Sequence, residues 1–163
     1  MTTNNVTRLL DAMKVPYQAF DLPVEKIGAL ETAQMLQVPA GQVFKTIVIS
    51  REKSGKQLLA VIPGDHEVDL KFLANKIGEK KVHLPTQREA EKITGLKAGG
   101  ISPLALIHKG FQVILDEAAI QYPEIHISGG QLGLNIRLPV SALIELTHAQ
   151  LAVISKASFG QER

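Results

Sequence analysis

The residues whose types and spacing could do chemistry are Lys45, the string Gly95-Leu96-Lys97-Ala98-Gly99-Gly100-Ile101-Ser102-Pro103, and Ser128-Gly129-Gly130. Lys45 falls on the apolar face of a predicted strand, where a cation is costly unless it is paired or reaches water. It is either such a structural lysine or a fixed positive charge for a phosphate or a carbonyl oxygen, with a Schiff-base role ranking below both. In the glycine string, Gly99-Gly100 lets the backbone take positive φ and approach a ligand closely. Pro103 fixes its own φ and biases Ser102 towards an extended form. The loop is therefore a tight structural turn or a cradle of N–H groups for an anion or a developing oxyanion. Ser128-Gly129-Gly130 reads as a hairpin turn towards Leu134, or as a hydroxyl and amides offered to an ester or a ribose. Asp65-His66-Glu67 has the composition of an acid–base cluster and reads as a polar turn ahead of a helix.

The elements that must position these groups follow from periodicity. Val6, Leu9, Leu10 and Met13 predict an amphipathic first helix. Residues 15–20 read as a short strand, residues 21–29 as irregular, and residues 30–36 as a second helix ended by Pro39-Ala40-Gly41. Residues 42–50 are a strand by β-branched content, with Val43, Lys45, Ile47 and Ile49 on one face. Residues 57–63 return as its hairpin partner across Glu52-Lys53-Ser54-Gly55. Asp69 caps a helix bearing Leu70, Leu73, Ala74 and Ile77 that Gly78 stops. Residues 81–84 are a short strand, and Thr86-Gln87-Arg88-Glu89 is a capping box opening a helix that ends before Gly95. Residues 111–115, 125–128 and 134–138 are further strands. Asp116 caps a short helical turn, Pro139 stands at the first position of a last helix, and the tail from Gln150 reads as a frayed helix or an extension. This order does not suit a regular doubly wound sheet. The expected fold is α+β: a mixed sheet curled into a barrel with helices around it, as one domain over residues 1–163.

Composition bounds the function. Apolar residues make up 45% of the chain, charged residues 21% and aromatics 4%, without tryptophan. That scarcity argues against binding nucleic acid on aromatic platforms. The formal net charge is +2, so no strong global field arises. Seven Lys and Arg in residues 71–97 face only Glu79, Glu89 and Glu91; this excess is a solvated helix face or a contact for a phosphate backbone. With no cysteine, disulfides, a thiol nucleophile and thiolate metal sites are excluded. The five histidines form no HxxxH or HxH pair, so no metal and no cofactor is expected. No leader-like segment and no apolar run of membrane-spanning length is visible, and a cytoplasmic, soluble protein without a membrane partner is the expectation.

Gln42-Val43-Phe44-Lys45-Thr46, Thr94-Gly95 with Gly99-Gly100-Ile101-Ser102-Pro103, and Ser128-Gly129-Gly130 with Gly133-Leu134 together resemble the YbaK-type aminoacyl-tRNA deacylases. These are similar to the editing insertion domain of bacterial prolyl-tRNA synthetase. The resemblance covers nearly the whole chain. It implies the barrel-like mixed fold and a free-standing hydrolase or lyase that removes a wrong amino acid from the 3′ acceptor end of a charged tRNA, most often cysteine from proline tRNA. It implies no cofactor, and prolyl-tRNA synthetase as a possible partner. By the same resemblance the loop from Gly99 to Pro103 presents amides to the ester. Lys45 holds the terminal adenosine or its phosphate, and Thr46, Gly95, Ser128, Gly129 and Gly130 contribute to substrate binding. The substrate's own cysteine thiol is the implied attacking group.

The chain departs from that pattern in places. An Asn-Phe-Gly-Asp-like string of the amino-acid pocket is here Lys26-Ile27-Gly28-Ala29-Leu30-Glu31, without the Phe. Tyr-Leu before the glycine pair is Leu96-Lys97, and the Lys-Arg after Ser128-Gly129-Gly130 is Gln131-Leu132. The reaction class is thus carried further than the amino acid removed. A deacylase for another small amino acid such as alanine, and a non-catalytic module that binds a tRNA end or a nucleotide beside prolyl-tRNA synthetase, are the alternatives.

Overall fold

The structure is a computed structural model that describes residues 2–52 and 57–158. In chain order the elements are α1 (Asn5–Ala12), β1 (Gln18–Asp21), α2 (Ala29–Leu36), β2 (Phe44–Arg51), β3 (Leu58–Pro63), β4 (His66–Val68), α3 (Leu70–Ile77), β5 (Val82–His83), α4 (Gln87–Thr94), β6 (Gln112–Asp116), β7 (Glu124–Ser128), β8 (Leu134–Pro139), α5 (Val140–Thr147), β9 (Gln150–Ala152) and β10 (Ser155–Ala157). Local chemistry sets most boundaries. Asp69 accepts from the Phe72 amide at the start of α3, and Gly78 takes the left-handed conformation at its end. Thr86 and Glu89 form the expected capping box of α4, which ends on left-handed Gly95.

The strands form a five-stranded sheet in the order β5-β2-β3-β6-β9, a three-stranded sheet β1-β8-β7 and a pair β10-β4. Strand β3 is buried along its whole length, and alternation sends its side chains into two cores. Leu59 and Val61 join Phe44, Val48, Leu115 and the inner face of β7 and β8 (Ile125, Ile127, Ile136, Leu138), closed by Leu10 of α1 and Leu143 of α5. Leu58, Ala60 and Ile62 join Ile49, Ile114 and Ile154, under Leu73 and Ala74 of α3.

Mixed α and β character is as expected, but among the described residues no sheet closes into a barrel. Among the described residues a single β-bridge, Val43 to His126, links the two larger sheets, beside a bond from the Gln42 side chain to the Glu124 carbonyl. On its outer edge β2 pairs with β5 only at Ser50 and Arg51. Its edge residues between those points have no strand partner among the described residues, and a barrel wall would require one there. The predicted β2–β3 hairpin is present in antiparallel register from Phe44↔Pro63 to Ile49↔Leu58; Lys53, Ser54 and Gly55 of its turn lie outside the described residues. Pro139 ends β8 and stands at the N-cap of α5 rather than at its first position.

The tail and Asp65-His66-Glu67 correct each other. His66 and Glu67 form strand β4 rather than only a turn, and their partner is β10 from the tail, in register Ser155↔Val68 to Ala157↔His66. Neither segment shows enough pattern alone, because each strand is three residues long. Buried Asp116 fastens the tail: one carboxylate oxygen accepts from the Ile154 amide (3.1 Å) and the Ser155 hydroxyl (2.7 Å), the other from the Ala118 amide (2.9 Å). Asp116→Ala strands these donors, so a loss of about 2–4 kcal/mol of stability is expected in denaturant titration, with faster hydrogen exchange in β10 than elsewhere. Unchanged stability would remove Asp116 from that role.

Candidate active site

The unpaired edge of β2 opens into a pocket of about 360 Å³. Its floor is residues 43–48, and its walls come from four other places: residues 22–29, the start of α4 at Gln87 and Ala90, the glycine loop at Ala98, Gly99 and Ile101, and the β7–β8 ends at Ser128 and Asn135. Strand geometry puts alternate side chains of β2 on opposite faces. Lys45 shares its face with Ile47 and Ile49 of the second core, but at the strand end where that core gives way to the pocket.

The Lys45 Nζ donates to the Gly64 carbonyl at 3.2 Å. Burial pulls its pKa down, while the carboxylates of Asp65 and Glu67 work in the opposite direction. Its seat depends on Gly64. A Cβ there would stand 2.6 Å from the Ala29 Cβ and 2.8 Å from the Val43 carbonyl oxygen. Only glycine lets this strand end come so close to α2.

The two glycine strings pack against each other. A Cβ on Gly100 would lie 2.9 Å from backbone atoms of Gln131, so the loop of residues 98–103 rests directly on the β7–β8 turn. Gly99 has φ +91° and Gly130 φ +95°, both in the left-handed region. Within the first loop the Gly100 amide donates to the Lys97 carbonyl (2.8 Å), and Glu91 accepts from the Ala98 amide (2.7 Å). The amides of Gly99 and Ile101, both pocket-lining residues, have no partner among the described residues.

Of the residues singled out from sequence, Lys45, Thr46, Gly99, Ile101 and Ser128 meet in the pocket wall. Gly100 is buried behind it, and Ser102 is fully buried with its hydroxyl accepting from the Leu104 amide (3.2 Å). Pro103 is buried beside Ser102, and Gly95 ends α4. Gly129 and Gly130 turn the β7–β8 hairpin, where the Gly129 amide donates to Leu134 and the Gly130 amide to the Ser128 hydroxyl. That string is therefore a hairpin turn and, through Ser128, a wall of the pocket.

Sequence reading missed a polar face behind Ser128. His126 and Ser128 of β7 stand opposite Arg137 and Asn135 of β8. Buried His126 binds the Asn135 side-chain oxygen through Nδ1 at 2.8 Å, and Asn135 reaches the pocket. The Phe20 ring of β1 lies 5.5 Å from the His126 ring. Alternation in residues 134–138 marks 135 and 137 as polar, but not that Asn135 faces a cavity rather than water. Lys26 was also missed as a site residue: it lies beside Gly99 and donates to Gln87 across the rim at 2.6 Å. No local signal marks it.

The lining holds a lysine pair, Lys26 and Lys45, one carboxylate, Glu25, and the hydroxyls of Thr32, Thr46 and Ser128. No histidine lines it among the described residues, so no hydroxyl there has an imidazole base to activate it. What the arrangement offers is a fixed cation, backbone donors and a shaped, partly apolar cavity.

Comparison with known proteins gives a consistent result. The model of the aminoacyl-tRNA editing domain family matches residues 25–146. The chain is 37% identical over 153 residues to a candidate Cys-tRNA(Pro)/Cys-tRNA(Cys) deacylase, EbsC, of Enterococcus faecalis, covering 93% of this chain and 92% of that protein. It is 25% identical over 131 residues to the multifunctional Ser/Thr-tRNA deacylase ProXp-y of Escherichia coli, 78% of each chain. A crystal structure of a candidate trans-editing enzyme for prolyl-tRNA synthetase superposes with a TM-score of 0.78 at 25% identity, over 96% of this chain and all of the other.

The His126–Asn135 pair has a pH signature. Burial first, and Arg137 nearby, lower the His126 pKa; the Asn135 hydrogen bond and Glu124 oppose this without reversing it. Between that lowered value and the ordinary one of about 6.5, the unfolded chain binds a proton that the folded chain refuses. Stability contributed by neutral His126 is thus complete above about pH 6.5 and falls as the pH drops below it. The urea midpoint should decline from pH 7.5 to 5.5, and more steeply than in His126→Gln. Parallel declines in the two proteins would show that His126 is not the source.

Proposed function

The chain belongs to the aminoacyl-tRNA editing domain family, and from that premise we propose that the pocket on the open edge of β2 receives the aminoacylated 3′ end of a mischarged tRNA and releases the wrong amino acid. The protein is an aminoacyl-tRNA deacylase that acts in trans, cleaving the ester between amino acid and terminal ribose. One observation carries the assignment of the site: among the described residues, a half-buried lysine, two loop residues with unpartnered amides and three hydroxyl-bearing residues line one cavity that holds no nucleophile–base pair. An aminoacyl ester is already activated, so orientation and stabilisation of the developing oxyanion suffice to hydrolyse it.

In this reading Lys45 holds the terminal adenosine or its phosphate as a fixed cation. The Gly99 and Ile101 amides face the ester carbonyl. Gly100, Ser102 and Pro103 keep the loop in shape by burial, and Gly95, Gly129 and Gly130 set its two flanks. Thr46 and Ser128 shape the pocket around the substrate. The attacking group is water or the substrate's own side chain, since the wall supplies no activated one.

The substrate proposed first is Cys-tRNA(Pro). It rests on the Enterococcus faecalis relative, which carries that specificity in its name. Small amino acids differ by a group worth only about 1–3 kcal/mol of discrimination, which is why a separate editing step is needed. The protein would then work in the cytoplasm beside prolyl-tRNA synthetase.

The test is a deacylation panel: Cys, Ala, Ser and Pro on proline tRNA, and Cys on cysteine tRNA. Rapid loss of Cys from proline tRNA is expected, reduced about 100-fold or more in Lys45→Ala with the thermal midpoint little changed. Full turnover in Lys45→Ala would sink the site assignment. Preference for another ester would reassign the substrate, and cleavage of none would leave a binding module. Gly100→Ala, which drives a Cβ into the Gln131 backbone, is expected to lower turnover on the same ester by separating the two loops. Wild-type rates in that variant would count against the loop amides.

A further inference from the structure

Helix α4 begins at the pocket rim, where Gln87 and Ala90 line the pocket. Cations follow its whole length. Lys26 sits at its first turn through the Gln87 contact, Arg88 and Lys92 lie four residues apart on the helix, and Lys97 follows it. At the far end Lys109 Nζ lies 3.5 Å from where a Gly95 Cβ would be. All five side chains belong to exposed residues, and among the described residues none has a carboxylate within 4.0 Å. The two acids of the helix offset only part of this charge, and each is held by a backbone amide rather than by a cation of the stripe: Glu89 accepts from the Thr86 amide, and Glu91 from the Ala98 amide.

Elsewhere the pattern differs. Residues 21–31, which form another part of the rim, expose Asp21, Glu25 and Glu31 against the single cation Lys26, which lies on the α4 side. Of the other lysines of the basic region, Lys71 and Lys76 belong to α3, which covers the second core rather than the pocket, and Lys80 and Lys81 stand between α3 and β5. Tertiary structure therefore divides the basic region of residues 71–97 into one part at the site and one part away from it.

We infer that this stripe is the track for the phosphate backbone of the RNA whose 3′ end enters the pocket, so that the acceptor stem leaves along α4 and not over residues 21–31. From Gln87 to Gly95 the helix advances about 12 Å, so its cations can meet several successive phosphates. The inference rests on the deacylase reading for its choice of RNA.

Binding of uncharged proline tRNA, followed by fluorescence anisotropy across a salt series, tests the track without involving ester cleavage. Neutralising Lys92, Lys97 and Lys109 together (Lys92→Ala, Lys97→Ala, Lys109→Ala) should weaken binding about tenfold or more at low salt and flatten the plot of log affinity against log salt by about 2–3. The pair Lys71→Ala, Lys76→Ala should leave affinity and slope near wild type. An unchanged slope in the triple variant, equal flattening in the α3 pair, or no binding by wild type at low salt would each overturn the track. Failure of the deacylation panel with this salt pattern intact would instead reject the catalytic reading while leaving an RNA-binding face.

Discussion

The structure depends on one strand edge left open. Strand β2 satisfies its inner edge along β3, but among the described residues its outer edge is taken only at its two ends, by β5 and by the bridge from Val43 to β7. Exposed edge backbone is a liability in most sheets and is normally paired or covered. Here it is covered incompletely, by loops and helix ends, and the space left is the pocket. The failure of the barrel to close and the existence of the site are the same fact. Closing the wall would extend the ladder across the floor on which Lys45 and Thr46 lie.

An open edge persists only if the rest of the sheet is rigid. Strand β3, buried on both faces between two apolar cores, supplies that rigidity. It also explains how a lysine can occupy an apolar face: Lys45 lies near the end of β2, opposite Ile62 of the second core, where that core borders the pocket. The Gly64 carbonyl holds it there, and Asp65 and Glu67 offset part of its desolvation. A cation so placed is half-buried without being stranded, which suits the anion-binding role proposed for it.

Glycine acts in the site mainly by absence. Gly64 and Gly100 stand where a Cβ would strike backbone, so they bring whole segments together rather than merely loosening a turn. That contact sets the depth of the pocket between the loop at residues 98–103 and the β7–β8 hairpin. In the proposed reaction, donors held by such contacts need little reorganisation when charge develops on a substrate.

The sequence alone determined whatever short-range rules decide. Capping residues Asp69, Thr86 with Glu89, and Asp116 marked their helix starts, Gly78 and Gly95 marked helix ends, and the strand periods of residues 42–50 and 57–63 predicted the central hairpin. It also marked Lys45 and both glycine strings as unusual for their positions, which is why five of the predicted residues line one pocket. Tertiary structure decided the rest, because the causes lie far apart in the chain. The pairing of β4 with β10 joins segments about 90 residues apart, each too short to show a period. The polar face of His126 and Asn135 looks like a solvent face until β1 and the pocket are in place. The basic region reads as one patch in sequence and becomes two in space, since α3 and α4 pack against different parts of the molecule. Periodicity reports which side of an element is buried, but only packing can report what it is buried against.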